Sequence, residues 1–206
     1  MAATTGSRSG EAMRVAGALA LLGCVAVVVA NIVGSIVVDR HDWVRDTVSY
    51  LAQGRNGWIQ DTGLLLFALG IAALAVGLWL LDLGGLAWKI GALCLLLMAC
   101  DVVLISLYEQ YGERTPEGVV VHSQAVWALG GLFPLALLLL SGGLARVGPG
   151  WRRFTLAAAI LWIVLAPPFF LMPTGFDGLY ERVLVLIVIA WIVPVSVMLI
   201  AEGRAR

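Results

Sequence analysis

Charged side chains are scarce in this chain of 206 residues: Lys, Arg, Asp and Glu together make up 13% of it, whereas 61% of the residues are hydrophobic. The mean hydropathy of +0.98 lies well above that of soluble domains. Basic and acidic side chains number 13 each, so no excess of positive charge is available for nucleic acid. The composition predicts a membrane protein with membrane lipids as partners and no nucleic-acid partner.

Cysteine and histidine are also rare. Cys24, Cys94 and Cys100 all fall within apolar runs, where cysteine behaves as a small apolar residue and a disulfide framework is not expected. His41 and His122 are the only histidines, and no Cys and His spacing is typical of a zinc site. We expect neither a metal ion nor a cofactor.

Long apolar runs dominate the chain instead. About 20 apolar residues in a helix cross the hydrocarbon core of a bilayer. Six segments meet this requirement and predict an all-α fold, a polytopic membrane protein built as a six-transmembrane-helix bundle: Arg14–Val38, Trp58–Leu81, Ile90–Tyr108, His122–Ala145, Phe154–Met172 and Glu181–Ala201. We expect one domain over residues 14–201, a disordered cytoplasmic N-terminus over residues 1–13 and a cytoplasmic tail over residues 202–206.

The basic residues are unevenly divided between the two sides of such a bundle. Because cytoplasmic segments carry an excess of Lys and Arg, the side with more of them predicts the cytoplasmic face. The side with the termini holds Arg8, Arg14, Lys89, Arg146, Arg152, Arg153, Arg204 and Arg206, and the other side holds Arg40, Arg45, Arg55, Arg114 and Arg182. The count predicts a multi-pass protein of the cell (plasma) membrane with both termini in the cytoplasm.

The loop after the first span has the pattern of a short amphipathic helix. Val44, Val48 and Leu51 follow helical spacing, and the polar residues on another face are Asp42, Arg45, Asp46 and Ser49. We expect an interfacial helix over residues 42–51, lying across the outer end of the bundle. Its role is either that of a packing lid or that of a site wall.

Asp101 lies near the middle of the third span, where an ionised carboxylate is costly without a partner. Expected partners are Asn31 and Ser35 on the first helix and His122 at the start of the fourth. One interpretation is a functional carboxylate in a polar cavity. The other is a protonated side chain that bonds Asn31 and joins two helices.

Glu181 and Arg182 open the last helix, and Arg182 does not suit the positive N-terminal end of the helix dipole. We expect Arg182 to pair with a carboxylate, either Asp46 or Asp61. The pair is either a structural clamp or a charge that binds a lipid head group. In the fifth span, Pro167 and Pro168 predict a kink that can open an outward cavity.

Aromatic side chains near the span ends are typical of interfacial belts. The tryptophans in such positions are Trp43, Trp58, Trp88 and Trp151.

Three segments together resemble a known family. They are Asp46-Thr-Val-Ser49-Tyr-Leu51-Ala52 after the first helix, His122 at the start of the fourth, and Gly178-Leu-Tyr-Glu181-Arg182 at the start of the sixth. With this span order, the chain resembles the six-helix bacterial membrane family known as domain of unknown function 998. Ala52 departs from the pattern, which has Gly after the Leu.

The resemblance implies a multi-pass protein and no established activity. It extends at the level of the fold to proteins of the Frag1/DRAM type, some of which are linked to lipid remodelling or autophagy. The matched positions are Ser49, His122, Glu181 and Arg182.

Three functions are compatible with these residues. The first is binding of a lipid or small amphiphile in an outward-facing polar cavity, or service as a membrane partner subunit; the expected ligand-binding residues are Asp46, Ser49, Asp101, His122, Glu181 and Arg182. The second is a lipid hydrolase or transferase with Ser49 as nucleophile, His122 as base and Asp101 or Asp46 as the orienting carboxylate. The third is a small-solute or proton-coupled transporter that uses Asp101, although no internal repeat is visible.

Overall fold

A computed structural model describes residues 2–108, 117–171 and 175–206, with side chains from residue 8 onward. The described residues form no β-strand, and six long helices account for most of them: α1 Ala2–Val37, α2 Trp58–Leu81, α3 Gly85–Leu107, α4 Gly118–Leu144, α5 Pro149–Phe169 and α6 Asp177–Ala205. All six are long and apolar enough to cross a membrane. The predicted all-α six-helix fold is confirmed. Two positions used in the sequence predictions, Arg114 and the span end at Met172, lie outside the described residues.

The helices form a closed ring in chain order. Each helix packs against the next one in sequence, and α1 closes the ring against α6, as expected when short connections make sequential helices neighbours. Trp88, Phe133 and Trp191 are among the fully buried side chains of the core. Both termini lie on one side of the bundle, here called the terminal side, and the loop over residues 38–57 lies on the other, the distal side.

The first and last helices are longer than predicted, and both extend on the terminal side. The structure places residues 8–13 in α1 rather than in a disordered N-terminus, and Met13 is fully buried. Gly10 faces the backbone of Gly203 on α6, so the absence of side chains lets the two helices pack closely beyond the predicted spans. Helix α6 continues to Ala205, through most of the predicted tail.

Small residues bring α1 and α2 into direct backbone contact. A Cβ atom on Gly70 would lie 3.1 Å from the Leu19 carbonyl oxygen and 3.2 Å from the Gly23 Cα atom. Two turns nearer the distal side, Gly63 packs against the Ala30 methyl group. Small residues at such contacts are the usual means by which membrane helices gain packing.

Two buried tryptophans satisfy their indole N–H groups on backbone carbonyls. Pro134 has no N–H and therefore leaves the carbonyl of Gly130, four residues earlier, without its helical donor. The Trp162 Nε1 atom donates to that oxygen at 2.9 Å and ties α5 to α4. Trp88 is fully buried and donates to the Leu78 carbonyl at 2.6 Å, so its predicted place in an interfacial belt is wrong.

Candidate functional site

The loop after α1 is not the predicted amphipathic helix. The Asp46 N–H donates to the Asp42 carbonyl at 2.7 Å in a single turn, and a short 3₁₀ helix follows at Ser49–Ala52. The Asp42 carboxylate accepts from the Val44 N–H at 2.9 Å and the Arg45 N–H at 3.3 Å. Asp42 thus caps this turn as it would cap a helix, but the turn does not continue beyond Asp46, and the next turn is 3₁₀.

The loop nevertheless covers the distal end of the bundle. Leu51 is fully buried against Gly34, and Val48 is 7% exposed, whereas Val44 is 40% exposed. Only part of the predicted apolar face is therefore buried. The role as a packing lid remains, carried by Val48 and Leu51.

Backbone hydrogen bonds attach this loop to the start of α6. The Gly178 N–H donates to the Arg45 carbonyl at 3.3 Å, and the Leu179 N–H donates to the Val44 carbonyl at 3.0 Å. The first N–H groups of a helix have no partner within it, so the loop supplies their acceptors. A Cβ atom on Gly178 would overlap the Asp46 carbonyl oxygen, so this contact requires glycine.

Arg182 is 8% exposed and lies beneath the loop, one turn into α6. Its carboxylate partner was predicted wrongly: neither Asp46 nor Asp61 pairs with it through a side chain. The guanidinium instead donates to the carbonyls of Asp46 at 2.8 Å, Gly178 at 2.9 Å and Trp43 at 3.2 Å, and to Asn31 Oδ1 at 3.2 Å. We call this set, together with His41, the Arg182 junction. Three of its acceptors are backbone carbonyls, which a planar five-donor group can reach simultaneously.

His41 completes the junction. Its Nε2 atom lies 3.0 Å from an Arg182 Nη atom, and because guanidinium only donates, Nε2 must be the acceptor and the imidazole must be neutral. The Nδ1 atom faces the Asp46 carboxylate at 3.5 Å. Burial, followed by the charge of Arg182, lowers the pKa of His41 below 6.5, and Asp46 and Asp42 oppose this effect.

Ser49 and His122 meet at the inner side of the loop. The Ser49 Oγ atom lies 3.3 Å from His122 Nε2, and His122 Nδ1 lies 2.7 Å from the Tyr108 carbonyl oxygen. A carbonyl only accepts, so Nδ1 carries the proton. In the neutral ring Nε2 then accepts, and the Ser49 hydroxyl donates to it.

Glu181 is held by the same loop. Its Oε2 atom accepts from the Val48 N–H at 2.6 Å. Among the described residues none donates to Oε1, and the Glu181 side chain faces a cavity. One carboxylate oxygen is therefore fixed and the other is available to a ligand.

This cavity lies within the distal half of the ring and has a volume of about 300 Å³. Ser49, His122 and Glu181 form its polar wall; Val48 adjoins them, and most of the remaining lining is apolar. The deeper lining includes Phe67, Met98, Val102, Trp162, Leu184 and Val188. We call it the distal cavity. Its lining has an apolar interior and a few polar groups at one end, as small-molecule sites commonly do.

Three of the six predicted ligand-binding residues line the distal cavity, and three do not. Asp46 and Arg182 belong to the Arg182 junction behind the wall. Asp101 is 6% exposed and does not line the cavity, because α3 presents Met98, Val102 and Ile105 to it. The structure thus buries Asp101 in the bundle but does not bring it to the cavity with His122 and Glu181.

The expected partners of Asp101 are engaged elsewhere. Asn31 accepts from Arg182, Ser35 donates to the Asn31 carbonyl at 2.7 Å, and His122 bonds Ser49 and Tyr108. Within the described part of the chain, the Asp101 Oδ2 atom has no hydrogen-bond partner. Asp101 therefore cannot orient His122 as the third member of a catalytic set.

Sequence reasoning missed several residues of the site. His41 gave no signal beyond its residue type, and the aromatic lining was not distinguishable from ordinary span residues. The Trp162 hydrogen bond could have been anticipated from the sequence. Pro134 has no N–H, so the Gly130 carbonyl must find a donor outside its own helix. No cluster of three or more His, Cys, Asp or Glu side chains suited to a metal ion occurs in the described ranges.

The ring of apolar helices and its distal cavity define a multi-pass helical membrane protein. The family model described as "Protein of unknown function (DUF998)" matches residues 8–198, and the chain belongs to this family. The match includes the distal loop, the polar wall and most of α6. No curated protein and no solved structure matches the chain.

Proposed function

We propose that the protein binds a lipid or another amphiphile in the distal cavity. The observation that supports this most directly is the division of the lining: Ser49, His122 and Glu181 at the distal end, and a predominantly apolar interior below them. A polar group of the ligand would lie against this wall, and its hydrocarbon would occupy the interior. Burial of apolar surface would supply most of the affinity, at about 25 cal/mol per Å².

The ligand would enter from the side of the bundle. Ser123, Trp127 and Phe170 line the cavity and are also exposed on the outer surface, and the Trp127 and Phe170 rings stack at 3.8 Å. Separation of these two rings would open the cavity between α4 and the end of α5 toward the hydrocarbon of a membrane. An amphiphile could then pass from the bilayer into the cavity without crossing water.

The distal cavity would serve the outer leaflet of the plasma membrane if both termini are cytoplasmic, as the distribution of Lys and Arg favours. Cysteine accessibility tests the orientation. In a background without native cysteines, we expect Arg55→Cys, on the distal loop, to react with an impermeant maleimide in intact cells. Glu11→Cys should stay unlabelled until the cells are opened, and the reverse pattern would refute the orientation.

A matched pair of variants tests amphiphile binding. Trp127 and Trp162 line the cavity, so 12-bromododecanol bound there should quench tryptophan fluorescence in nanodiscs. We expect a saturable component in the wild type. Val126→Phe fills the cavity and should abolish that component, whereas Val120→Phe, on the exposed face of the same helix, should preserve it. Quenching that rises without saturation and equally in all three proteins would contradict the proposal.

A second candidate function is acyl-ester hydrolysis, favoured by the contact between Ser49 and His122. His122 Nε2 would take the hydroxyl proton as Ser49 Oγ attacks the ester carbon, the alcohol would leave with that proton, and water would then release the acid and restore Ser49. Labelling by a fluorophosphonate tests this candidate. Labelling in the wild type that is lost in Ser49→Ala supports it, and no labelling in the folded wild type refutes it.

A further inference from the structure

Glu181 is the one carboxyl side chain that lines the distal cavity within the described part of the chain. Its Oε2 atom is held by the Val48 N–H at 2.6 Å, and its Oε1 atom receives no hydrogen bond from a described residue. A carboxylate oxygen in an apolar enclosure is costly to leave without a donor. The site therefore lacks a donor at a defined position.

The neighbouring cation does not supply that donor. Arg182 directs its guanidinium to the loop carbonyls, Asn31 and His41, and it is absent from the cavity lining. Adjacent residues diverge by about 100° around a helix, so Glu181 and Arg182 face different surroundings. The Glu181 carboxyl group is thus presented to the cavity, and the Arg182 guanidinium to the loop and Asn31.

The other two polar side chains of the wall, Ser49 and His122, use their hydrogen-bond donors within the protein. The Ser49 hydroxyl donates to His122 Nε2, and the His122 Nδ1–H donates to the Tyr108 carbonyl. Deeper in the cavity, Trp162 donates to Gly130. An anionic head group at this wall would be repelled by the acceptor oxygens of Glu181 and Ser49. A head group that carries positive charge and N–H donors would complement the same oxygens.

We infer that the distal cavity selects an amphiphile with a protonated amine as its head group. The ammonium donates to Glu181 Oε1 and to the free lone pair of Ser49 Oγ, and its alkyl chain lies among Phe67, Val102 and Trp162. The faces of aromatic rings in the lining attract a cation, and the same rings pack against an alkyl chain. This inference rests on the proposed function and adds the chemical class of the ligand.

Displacement of 12-bromododecanol from nanodiscs of zwitterionic lipid at neutral pH tests the inference. We expect dodecylamine to displace the probe at a concentration about tenfold or more below that of dodecanol, and laurate to be weaker than dodecanol. In Glu181→Gln the advantage of dodecylamine over dodecanol should disappear. Glu202→Gln makes the same change on the same helix outside the cavity and should keep that advantage.

A second comparison needs no variant and so does not depend on the folding of Glu181→Gln. Dodecyltrimethylammonium has the same charge and chain but no N–H group, and it should bind more weakly than dodecylamine. Equal binding of the two cations would overturn the inference. So would equal binding of dodecylamine and dodecanol, tighter binding of laurate, or an amine preference that survives in Glu181→Gln.

One further comparison distinguishes a phospholipid from a single-chain amine as the ligand that carries the ammonium group. Lysophosphatidylethanolamine carries the ammonium on a phospholipid, and lysophosphatidylcholine is its control without N–H groups. Selective displacement by the ethanolamine lipid supports a phospholipid as the ligand, and displacement by dodecylamine alone supports a single-chain amine. Saturable dodecanol binding without an amine preference would contradict only this inference, whereas no saturable binding of any amphiphile would contradict the proposed function too.

Discussion

At the scale of single residues, the structure pairs a buried cation with neutral acceptors. Arg182 donates to three backbone carbonyls, to Asn31 and to a neutral His41, and no carboxylate oxygen lies within ion-pair distance of it among the described residues. Hydrogen bonds of an ionised donor are stronger than neutral ones, which offsets part of the cost of burial. The Arg182 junction thereby fixes the distal loop to α6 and holds Ser49 and Val48 at the cavity.

Arg182→Lys should destabilise the protein by about 2 kcal/mol or more, because an ammonium cannot reach the acceptors of a planar fork and leaves buried carbonyls unpaired. The measurement is the thermal midpoint in detergent. Arg152→Lys, at an exposed position, should leave the midpoint nearly unchanged. Equal midpoints for the two variants would show that the junction is not a stabilising contact.

His41 should make stability depend on pH. Its pKa in the folded protein lies below 6.5, because burial and Arg182 oppose its protonation. The unfolded chain therefore binds more protons as the pH falls below that value, and the stabilising contribution of neutral His41, present above pH 6.5, is lost toward the folded pKa. The pKa of Asp42 is lowered from 3.8 by the Val44 and Arg45 N–H groups, so Asp42 titrates at more acidic pH.

The thermal midpoint at about pH 7.5 and about pH 5.5 tests this account. His41→Gln keeps a carbonyl acceptor for Arg182 but does not titrate. We expect the wild type to lose more thermal stability than His41→Gln between the two pH values. The same loss in both proteins would exclude His41 as the cause.

Asp101 should be dispensable for ligand binding. The carboxylate does not line the distal cavity, so Asp101→Asn should bind 12-bromododecanol and dodecylamine as the wild type does. The measurement is the same quenching titration, with Glu181→Gln as the variant that does lose its amine preference. Loss of saturable binding in a folded Asp101→Asn protein would place Asp101 in the binding site after all.

At the scale of helices and loops, the span pattern could be predicted and the loop contacts could not. The bounds of α2, Trp58–Leu81, agree at both ends with the prediction, because hydropathy is a local property of the sequence. The loop conformation depends on partners far away in the chain: Arg182 bonds the Asp46 carbonyl across 136 residues. Helical spacing alone carries no information about such partners.

The candidate site was predictable to a similar extent. His122 and Glu181 were recognisable as polar residues at the starts of spans and Ser49 as a polar residue of the loop after the first span, and the structure brings the three to one cavity. The membership of Asp101 was inferred from its depth in the membrane, but depth does not determine which face of α3 meets the cavity. The carbonyl acceptors of Arg182 could not be inferred from side-chain types.

The α1 and α2 seam gives a prediction at the scale of helices. A Cβ atom on Gly70 would crowd the Leu19 carbonyl and the Gly23 Cα atom, whereas a Cβ atom on Gly142 of α4 would meet nothing within 4 Å. Gly70→Ala should therefore destabilise the protein by about 1–3 kcal/mol through overpacking. Gly142→Ala should be neutral or stabilise it by up to about 1 kcal/mol, through helix propensity.

Thermal midpoints of the two Ala variants in detergent compare the same chemical change at a crowded and at an open position. We expect the midpoint of Gly70→Ala to lie below that of Gly142→Ala. If the order were reversed, close approach of α1 and α2 would not be what the small residues provide.

At the scale of the whole molecule, the described parts of the six helices enclose the distal cavity in the distal half of the ring. The terminal half is filled by large side chains such as Trp88 and Leu144, while the distal half leaves a cavity of about 300 Å³ beneath the loop. The same loop supplies Ser49 and the Val48 N–H to the polar wall and is anchored by Arg182. Closure of the bundle and construction of the site therefore depend on one segment.

The most direct test of the proposed function is an experimental structure in a lipidic mesophase that resolves bound lipid chains. We predict continuous density for an alkyl chain in the distal cavity, between Val102 and Trp162, with its polar end within hydrogen-bond distance of Ser49 Oγ or Glu181 Oε1. Side chains that close this space, or a cavity filled with water alone while lipid chains are resolved elsewhere on the protein, would contradict the account.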